Sequence, residues 1–193
     1  MIGKLFKELN IFLQIKFLSI SKQISLNDER LYVYRKTIPK AIINNVSVRN
    51  KIKEIGLYEP DYNSLSNIDT FDNLEELCIR FFQFEKLPDE VWNLKKLKKL
   101  KLDQCEVTNI PDSIKNLTNL EYLNLSCKIK TLNIAISKLK NLKILNLKRS
   151  YLLKKITKLP ESLNHLIISN ESLQIDEEIF CLPNLRKLEI ENT

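Results

Sequence analysis

Residues 93–111, NLKKLKKLKLDQCEVTNIP, place five lysines within their first ten positions. Such a stretch has two unrelated interpretations: a basic patch that binds an acidic partner, or one unit of a repetitive fold. Leu97, Leu100 and Leu102 form an apolar-x-x-apolar-x-apolar pattern that recurs along the chain. Because internal repetition at a fixed period is the sequence signature of solenoid proteins, the repeat interpretation is favoured.

The pattern occurs seven times at intervals of 21 to 23 residues. Its copies are IKEIGL (52–57), LEELCI (74–79), LKKLKL (97–102), LEYLNL (120–125), LKILNL (142–147), LNHLII (163–168) and LRKLEI (185–190). Side chains of a strand alternate between two faces, so the fourth and sixth positions of each copy are expected to point into the core. No unit can bury this apolar face alone, and stability must come from stacking on neighbouring units.

A second half of similar character follows several copies: FEKLPDEVWNL (84–94), VTNIPDSIKNL (107–117), IKTLNIAISKL (129–139) and the shorter ITKLPESL (156–163). Together the two halves resemble the leucine-rich repeat family, most closely its intracellular class of plant and Ras-group proteins. The resemblance implies an α/β solenoid, with a curved parallel sheet on the concave face and short helices or 3-10 turns on the convex face. It divides the chain into an N-terminal extension with a helical cap, residues 1–51, and a repeat domain of about seven units, residues 52–193.

The family usually places an asparagine or a cysteine just after each strand, where its side chain satisfies backbone groups of the turn. The corresponding positions, here called the ladder positions, hold Pro60, Phe82, Cys105, Cys127, Ser150, Asn170 and Asn192. Pro60 and Phe82 have no side-chain group that can make such hydrogen bonds. We therefore expect local irregularity in the first two units.

The N-terminal region is less regular. Residues 37–45, TIPKAIINN, predict a short helix with Thr37 as its N-cap that covers the open end of the core. Residues 1–34 are ambiguous, because KLFKELNIF (4–12) has helical spacing whereas the apolar residues at 11–17 alternate as in a strand. Charged residues interrupt the apolar start, so we expect no secretory signal, and no apolar run approaches the roughly 20 residues of a membrane span.

Several kinds of enzyme site are excluded by composition. The chain has two glycines, Gly3 and Gly56, which are too few for a glycine-rich phosphate loop. The single histidine, His165, is expected four strands away from Cys78, about 19 Å at the usual interstrand spacing of roughly 4.8 Å. That separation rules out a Cys–His nucleophile, and no cysteines or histidines have the spacing of zinc ligands. We predict no enzymatic activity, cofactor or metal.

The four cysteines, Cys78, Cys105, Cys127 and Cys181, lie inside repeat units. Secreted members of the family that the chain resembles usually carry disulfides in the caps at the two ends. The distribution here therefore favours a reducing compartment and a cytoplasmic location. Cys105 and Cys127 occupy related positions in adjacent units, and we interpret them as reduced, buried thiols of the ladder.

The same strand alternation identifies the side chains of the concave face. One group carries little charge and is flanked by lysines. Its members are Tyr122, Asn124, Ile144, Asn146, His165 and Ile167, with Lys99, Lys101 and Lys148 beside them. Exposed tyrosine and isoleucine beside adaptable amides suit a protein interface, so we hypothesise that this group binds a protein partner. The alternative is an ordinary mixed surface with the binding site elsewhere.

Other interpretations of the surface stay open. Phe81, Phe84 and Trp92 are a second candidate for exposed aromatics, although packing between convex turns is the favoured interpretation. The leading prediction is a non-catalytic scaffold for a protein partner, and strand 185–190 is an edge where a second copy could pair. The net charge of +7 makes polyanion binding through surface lysines an alternative, but interleaved acids argue against nucleic acid. A third possibility is the substrate-recognition arm of a separate enzyme.

Overall fold

A computed structural model describes residues 24–27, 29–34, 38–169 and 173–190 of the chain. Its strands are β1 (Ile24–Asn27), β2 (Arg30–Tyr34), β3 (Glu54–Tyr58), β4 (Glu76–Arg80), β5 (Lys99–Cys105), β6 (Tyr122–Cys127), β7 (Ile144–Leu147), β8 (Lys155–Ile156), β9 (His165–Ile168), β10 (Gln174–Ile175) and β11 (Lys187–Ile190). Nine of them form one sheet in the order β1-β2-β3-β4-β5-β6-β7-β9-β11. β1 is antiparallel to β2, and every later pair in the sheet is parallel. β8 and β10 form a separate two-stranded parallel ladder.

The seven strands predicted from the repeat are present, and in the first six of them the fourth and sixth positions are buried in the core. In the seventh, β11, the equivalent Leu188 is half-buried and Ile190 is exposed, so the expectation of two core positions is wrong for this strand. In β5 these positions are Leu100 and Leu102, whose side chains are fully buried. The strand register places Leu100 between Leu77 and Leu123, so equivalent residues of successive units stack on one another. The buried face of the sheet is thus continuous from unit to unit, as the repeat period predicts.

The convex side of the repeats consists of short 3-10 helices. In the described residues they span Tyr62–Leu65, Ile68–Thr70, Asp89–Asn93, Asp112–Asn116, Ile134–Lys138 and Glu177–Cys181. Several of their apolar residues, among them Val91, Ile114 and Ile136, are fully buried in the core. A 3-10 helix rises about 2.0 Å per residue against 1.5 Å for an α-helix, so it covers the core with fewer residues. This suits repeats of only 21 to 23 residues.

The predicted N-terminal helix is shorter than expected. Helix α1 spans Lys40–Ile43, with Pro39 at its N-cap position and no side-chain capping hydrogen bond. The prediction of Thr37 as N-cap is therefore wrong, and Thr37 itself lies outside the described residues. Proline supplies a fixed φ at the helix start, so the helix begins after it. Ile38 and Ile42 are buried in the core, as predicted.

A second short helix follows at once. Helix α2 spans Val46–Arg49, and the Oδ1 atom of its N-cap Asn45 accepts a hydrogen bond of 3.1 Å from the backbone N–H of Val48. This cap separates the two helices, because an N-cap residue leaves the helical conformation. No helix among the described residues is long and apolar enough to cross a membrane.

The sheet begins earlier than the repeat pattern indicates. β2 carries Leu31 and Val33 at positions equivalent to the core positions of later strands, and both are buried. Leu31 pairs with Ile55 of β3, so β2 extends the parallel sheet by one strand. The sequence pattern missed this strand because Asp28 stands where the first apolar residue of a copy is expected. The ambiguity over residues 1–23 lies outside the described residues, and a domain boundary at residue 51 stays a prediction.

Three ladder positions make the hydrogen bonds that the resemblance implies. Each side chain donates to the carbonyl at the sixth position of the preceding unit: Cys105 Sγ to Ile79 O (3.5 Å), Cys127 Sγ to Leu102 O (3.6 Å) and Ser150 Oγ to Leu125 O (2.5 Å). These bonds join neighbouring units at the end of the strands. Asn170 and Asn192 lie outside the described residues.

The turn before the ladder position adopts a left-handed backbone in four units. The residues concerned are Glu59 (φ 49°), Phe81 (φ 56°), Gln104 (φ 54°) and Arg149 (φ 66°). The first two units therefore share this turn with later ones, so the predicted irregularity does not occur at the turn itself. The regular pairing of the strands is instead interrupted before Cys127, where the register between β5 and β6 shifts. Cys127 pairs with Cys105, which leaves Gln104 as an extra residue.

Ser150 offers a direct test of the ladder. Its side chain is 2% exposed, so Ser150→Ala leaves the Leu125 carbonyl without this donor inside the protein. We expect the free energy of unfolding to fall by about 1–2 kcal/mol, since an unsatisfied buried acceptor retains its desolvation cost. Urea unfolding measures the change. Ser150→Cys is the matched control because thiols serve at two other ladder positions, and equal losses for the two variants would contradict the hydrogen-bond role.

Two further kinds of contact repeat between units at the residues that precede the strands. Asparagine Nδ2 groups donate to backbone carbonyls one unit earlier: Asn73 to Asn50 O (2.8 Å), Asn119 to Lys95 O (2.7 Å), Asn141 to Thr118 O (2.8 Å) and Asn184 to Glu161 O (2.9 Å). Lysines pair with glutamates of the preceding unit: Lys53 with Glu29 (2.9 Å), Lys98 with Glu75 (2.8 Å) and Lys143 with Glu121 (2.7 Å). Part of the lysine-rich stretch thus serves contacts between repeats, although exposed ion pairs contribute little stability individually.

Candidate functional site

The uncharged group predicted for the concave face is assembled by three adjacent strands, β6, β7 and β9. In the register, Tyr122, Ile144 and His165 lie side by side, and Asn124, Asn146 and Ile167 form the next row. All six side chains are half-buried. These six residues are called the concave patch below.

The two asparagines of the concave patch are held in place by hydrogen bonds within their own strands. Asn124 Oδ1 accepts from the backbone N–H of Ser126 (3.1 Å) and from its hydroxyl (2.7 Å). Asn146 Oδ1 accepts from the backbone N–H of Lys148 (2.8 Å). These bonds occupy the amide oxygens and orient the side-chain N–H groups, which are donors. Fixed donors lose less conformational entropy when they bind a partner.

The C-terminal border of the concave patch is charged. His165 Nε2 lies 3.3 Å from Glu189 Oε1, and Lys187 also pairs with this carboxylate. The hydrogen bond from Lys187 lowers the pKa of Glu189 from its ordinary value. Glu189 therefore stays ionised near neutral pH beside the histidine.

The lysines predicted to flank the concave patch are mostly engaged elsewhere. Lys99 Nζ lies 3.2 Å from Glu76 Oε2, and Lys101 donates to the other oxygen of the same carboxylate. Burial alone would raise the pKa of Glu76, but the hydrogen bonds from Lys101 and Lys99 hold the pKa below its ordinary value. Lys101 also lies 5.9 Å from the ring centroid of Tyr122. Lys148 follows the end of β7 and is half-buried.

A cavity of about 260 Å³ lies on the concave face of β2 to β5. It is called the Gly56 pocket below, and its lining consists of Tyr32, Glu54, Gly56, Leu57, Tyr58, Glu76, Cys78, Arg80 and Lys101. A Cβ atom at position 56 would lie 2.4 Å from Cδ1 of Tyr32, so a larger residue would have to displace the tyrosine ring. The absence of a side chain at Gly56 therefore allows the aromatic ring to lie over β3.

Hydrogen bonds fix one wall of the Gly56 pocket. The hydroxyl of Tyr32 donates to Glu54, and this bond, together with burial, raises the pKa of Tyr32 to about 12. Glu54 also pairs with Arg30, with 3.0 Å between Oε2 and Nε. The floor includes the Cys78 thiol, whose pKa is raised by burial, so the thiol is protonated at neutral pH. The repeat pattern does not predict the pocket because it does not predict β2. The small residues Gly56 and Cys78 on adjacent strands are the sequence feature that indicates it.

The sequence comparison identifies the family. The model of the leucine-rich repeat region matches residues 51–193. The chain belongs to the leucine-rich repeat family. This family is generally non-enzymatic, and its fold is a typical module for interactions between proteins. A search of curated protein sequences gives no significant match.

Solved structures of leucine-rich repeat proteins share the fold. A leucine-rich repeat protein of Leptospira interrogans is 28% identical, with a TM-score of 0.60, and the match covers 81% of this chain and 40% of that one. Internalin C2 of Listeria monocytogenes is 21% identical, with a TM-score of 0.52, and the match covers 80% of this chain and 66% of that one. The chain thus spans less than two thirds of either protein.

The three aromatic residues of the second candidate site, Phe81, Phe84 and Trp92, lie in different environments. Trp92 is only 1% exposed and packs in the core, which agrees with the favoured interpretation of packing and excludes the alternative of an exposed aromatic for this residue. Phe84 is 43% exposed and packs edge-on against Tyr62, with ring centroids 5.5 Å apart. Phe81 packs against Tyr58 of the Gly56 pocket at 4.9 Å. The repeat spacing did not distinguish these environments because all three residues lie in the irregular half of one unit.

The cysteines agree with their assigned places in the repeats. All four are free thiols, and Cys105 and Cys127 are buried, as predicted. The hydrogen bond with Cys105, together with burial, raises the pKa of Cys127. In the sheet, the strand of His165 lies four steps from that of Cys78, so the two side chains are not brought together.

Proposed function

We propose that this leucine-rich repeat chain is a non-catalytic scaffold that holds a protein partner on its concave face, with the concave patch as a central contact. The observation that carries the proposal is the alignment of Tyr122, Ile144 and Ile167 with two fixed amides on three neighbouring strands. Aromatic and aliphatic surface supplies the apolar contact area of an interface, and oriented amides supply specific hydrogen bonds.

The lysine contacts support a protein partner over a polyanion. Lys98, Lys99 and Lys143 each pair with a glutamate of the preceding repeat, which interrupts any continuous positive surface. Binding of nucleic acid would release counterions and weaken steeply with added salt. The polyanion alternative and that of a recognition arm for a separate enzyme remain, and salt dependence and co-purified activity are their respective tests.

We also place the protein in the cytoplasm, in line with the intracellular class that its repeats resemble. The support is chemical: the four thiols are free, and those of Cys105 and Cys127 serve as hydrogen-bond donors in the ladder. Such thiols persist in a reducing compartment. Self-association through strand 185–190 stays a prediction, and sedimentation velocity is its test.

Alanine variants test the concave patch. Tyr122→Ala and Ile167→Ala should each weaken partner capture at least tenfold, because truncation of an interface anchor costs on the order of 2 kcal/mol. The measurement is affinity capture with crosslinking from the native cell, followed by titration of the purified partner. Unfolding in urea should stay close to that of the wild type, since both side chains are half-buried on the outer face of the sheet.

The matched control is Ile134→Ala on the convex side. Ile134 is 63% exposed and lies in the 3-10 helix Ile134–Lys138, away from the concave strands. It should capture the partner as well as the wild type does. Undiminished capture by the Tyr122 and Ile167 variants, or an equal loss with Ile134→Ala, would overturn the proposed site.

A further inference from the structure

None of the six residues of the concave patch lines the Gly56 pocket. The pocket has the size of a site for part of a ligand. Its volume of about 260 Å³ is below the roughly 300–1,000 Å³ of small-molecule sites. A single side chain or chain terminus of a partner suits this volume better than a cofactor does. The pocket also lies on the concave face, where the proposed partner would bind.

The acidic groups of the pocket already have donors. Glu54 accepts from the Tyr32 hydroxyl and pairs with Arg30, and Glu76 pairs with both Lys99 and Lys101. Their side chains are only 21% and 17% exposed. An incoming cation would have to compete with these existing partners for largely covered carboxylates.

The basic groups of the pocket retain donor capacity. The Arg80 side chain is 55% exposed, and its Nε lies 3.5 Å from Asp103 Oδ2, which is longer than the usual N–H···O distance of about 2.7–3.2 Å. A guanidinium has five N–H donors and an ammonium has three, so Arg80 and Lys101 can each donate hydrogen bonds to a further anion. Lys101 lies directly across from Cys78 in the register, and Arg80 lies two residues beyond Cys78 on the same strand face. The neutral thiol of Cys78 therefore neighbours both cations.

The charges around the pocket leave room for one anion. The cations are Arg30, Arg80, Lys99 and Lys101, and the anions are Glu54, Glu76 and Asp103. In the lining itself, Arg80 and Lys101 balance Glu54 and Glu76. With the ion-pair partners Arg30, Lys99 and Asp103, the cluster has four positive and three negative groups and carries one net positive charge. One carboxylate would neutralise the cluster, and charge-assisted hydrogen bonds to arginine and lysine are among the strong ones in proteins.

We propose that the Gly56 pocket binds one carboxylate of the protein partner between Arg80 and Lys101, over the Cys78 thiol. The carboxylate comes from an aspartate or glutamate side chain or from a free C-terminus. The rings of Tyr32 and Tyr58 form the apolar walls beside it, and the ring of Phe81 packs against that of Tyr58. This assignment rests on the proposed function and names the partner chemistry for a second part of the same face.

Four short peptides test the assignment by NMR titration of the isotope-labelled full chain. They are acetyl-Ala-Tyr-Glu-Ala-amide, its glutamine and lysine analogues, and acetyl-Ala-Tyr-Ala with a free carboxylate. At least one of the two acidic probes should shift the backbone amides of Gly56, Cys78 and Lys101 at millimolar concentration. The glutamine analogue should bind at least about fivefold more weakly, because it lacks the charge that the cations recognise. The two acidic probes distinguish a side chain from a terminus as the source.

Substitutions of pocket residues test whether the acidic peptides bind in the Gly56 pocket. Arg80→Gln and Lys101→Gln should each weaken the acidic probes at least about fivefold, and Cys78→Leu should block them by filling the floor. Lys130→Gln, which changes an exposed lysine outside the pocket, should have no effect. Equal binding of the glutamate and glutamine peptides, tighter binding of the lysine peptide, no binding of either acidic probe, or wild-type affinity in Arg80→Gln would each overturn the assignment.

The two proposals fail separately. Ile167→Ala should leave probe binding unchanged, because Ile167 lies in β9, whereas the residues that line the pocket belong to β2, β3, β4 and β5. If the probes bind as expected and capture does not depend on Tyr122 or Ile167, the concave-patch proposal is wrong. If capture depends on these residues and the acidic probes do not bind, the carboxylate assignment is wrong.

Discussion

Leu123→Ala is expected to lower the free energy of unfolding by about 3–4 kcal/mol. Leu123 is fully buried in β6 and lies in register with Leu100 on one side and Leu145 on the other. Truncation of a core leucine removes apolar burial and leaves a cavity, and such changes cost about 2–5 kcal/mol. A central position belongs to the upper part of this range, because neighbouring units on both sides lose contacts.

Urea unfolding with two probes measures this loss. Trp92 is the single tryptophan and is buried, so its fluorescence reports on the N-terminal half of the stack, while circular dichroism reports on the whole sheet. Leu188→Ala in β11 is the matched control, since Leu188 occupies the equivalent position in the last strand of the sheet and is only half-buried. It should cost about 1 kcal/mol or less. Equal losses at the two positions would contradict stabilisation by stacking on both neighbours.

Phe82→Ala is expected to cost about 3–5 kcal/mol, the range for a buried phenylalanine. Phe82 stands at a ladder position, where the family usually has a small hydrogen-bonding residue, yet its side chain is fully buried. Its ring packs 5.2 Å from Phe84 and 6.4 Å from Tyr62. The position thus joins neighbouring units by aromatic packing instead of a hydrogen bond.

Two further substitutions separate packing from hydrogen bonding at this position. Phe84→Ala removes a ring that is 43% exposed and should cost about 1 kcal/mol or less. Phe82→Asn introduces the usual family residue and should still be destabilising by more than 2 kcal/mol, because an amide cannot fill the volume of the ring. Wild-type stability of Phe82→Asn in urea would contradict the packing role.

The sequence predicted the regular part of the fold because each repeat must satisfy the same packing. Leu100 and Leu123 follow from the repeat pattern, and alternation along the strands correctly placed Tyr122 and Ile144 side by side on the concave face. Ser150 could be assigned to the ladder because hydroxyl and thiol side chains can donate to the same carbonyl position.

The irregular parts could not be predicted in the same way. β2 has the core residues of a repeat strand but lacks the first apolar position, so it did not match the pattern. The Gly56 pocket depends on the Tyr32 ring of that strand and was missed with it. Phe82 was expected to disturb its turn because it cannot make a side-chain hydrogen bond. Its ring is instead buried and packs against neighbouring aromatic rings.

A photo-crosslinking residue tests the use of the concave face most directly. In separate proteins, p-benzoylphenylalanine replaces Ile144 in the concave patch or Ile134 on the convex side, and mass spectrometry identifies the partner residues that react after irradiation of the complex. We expect strong crosslinking from position 144 and background crosslinking from position 134, where Ile134 is 63% exposed. Crosslinks from position 134 with none from position 144 would contradict binding on the concave face.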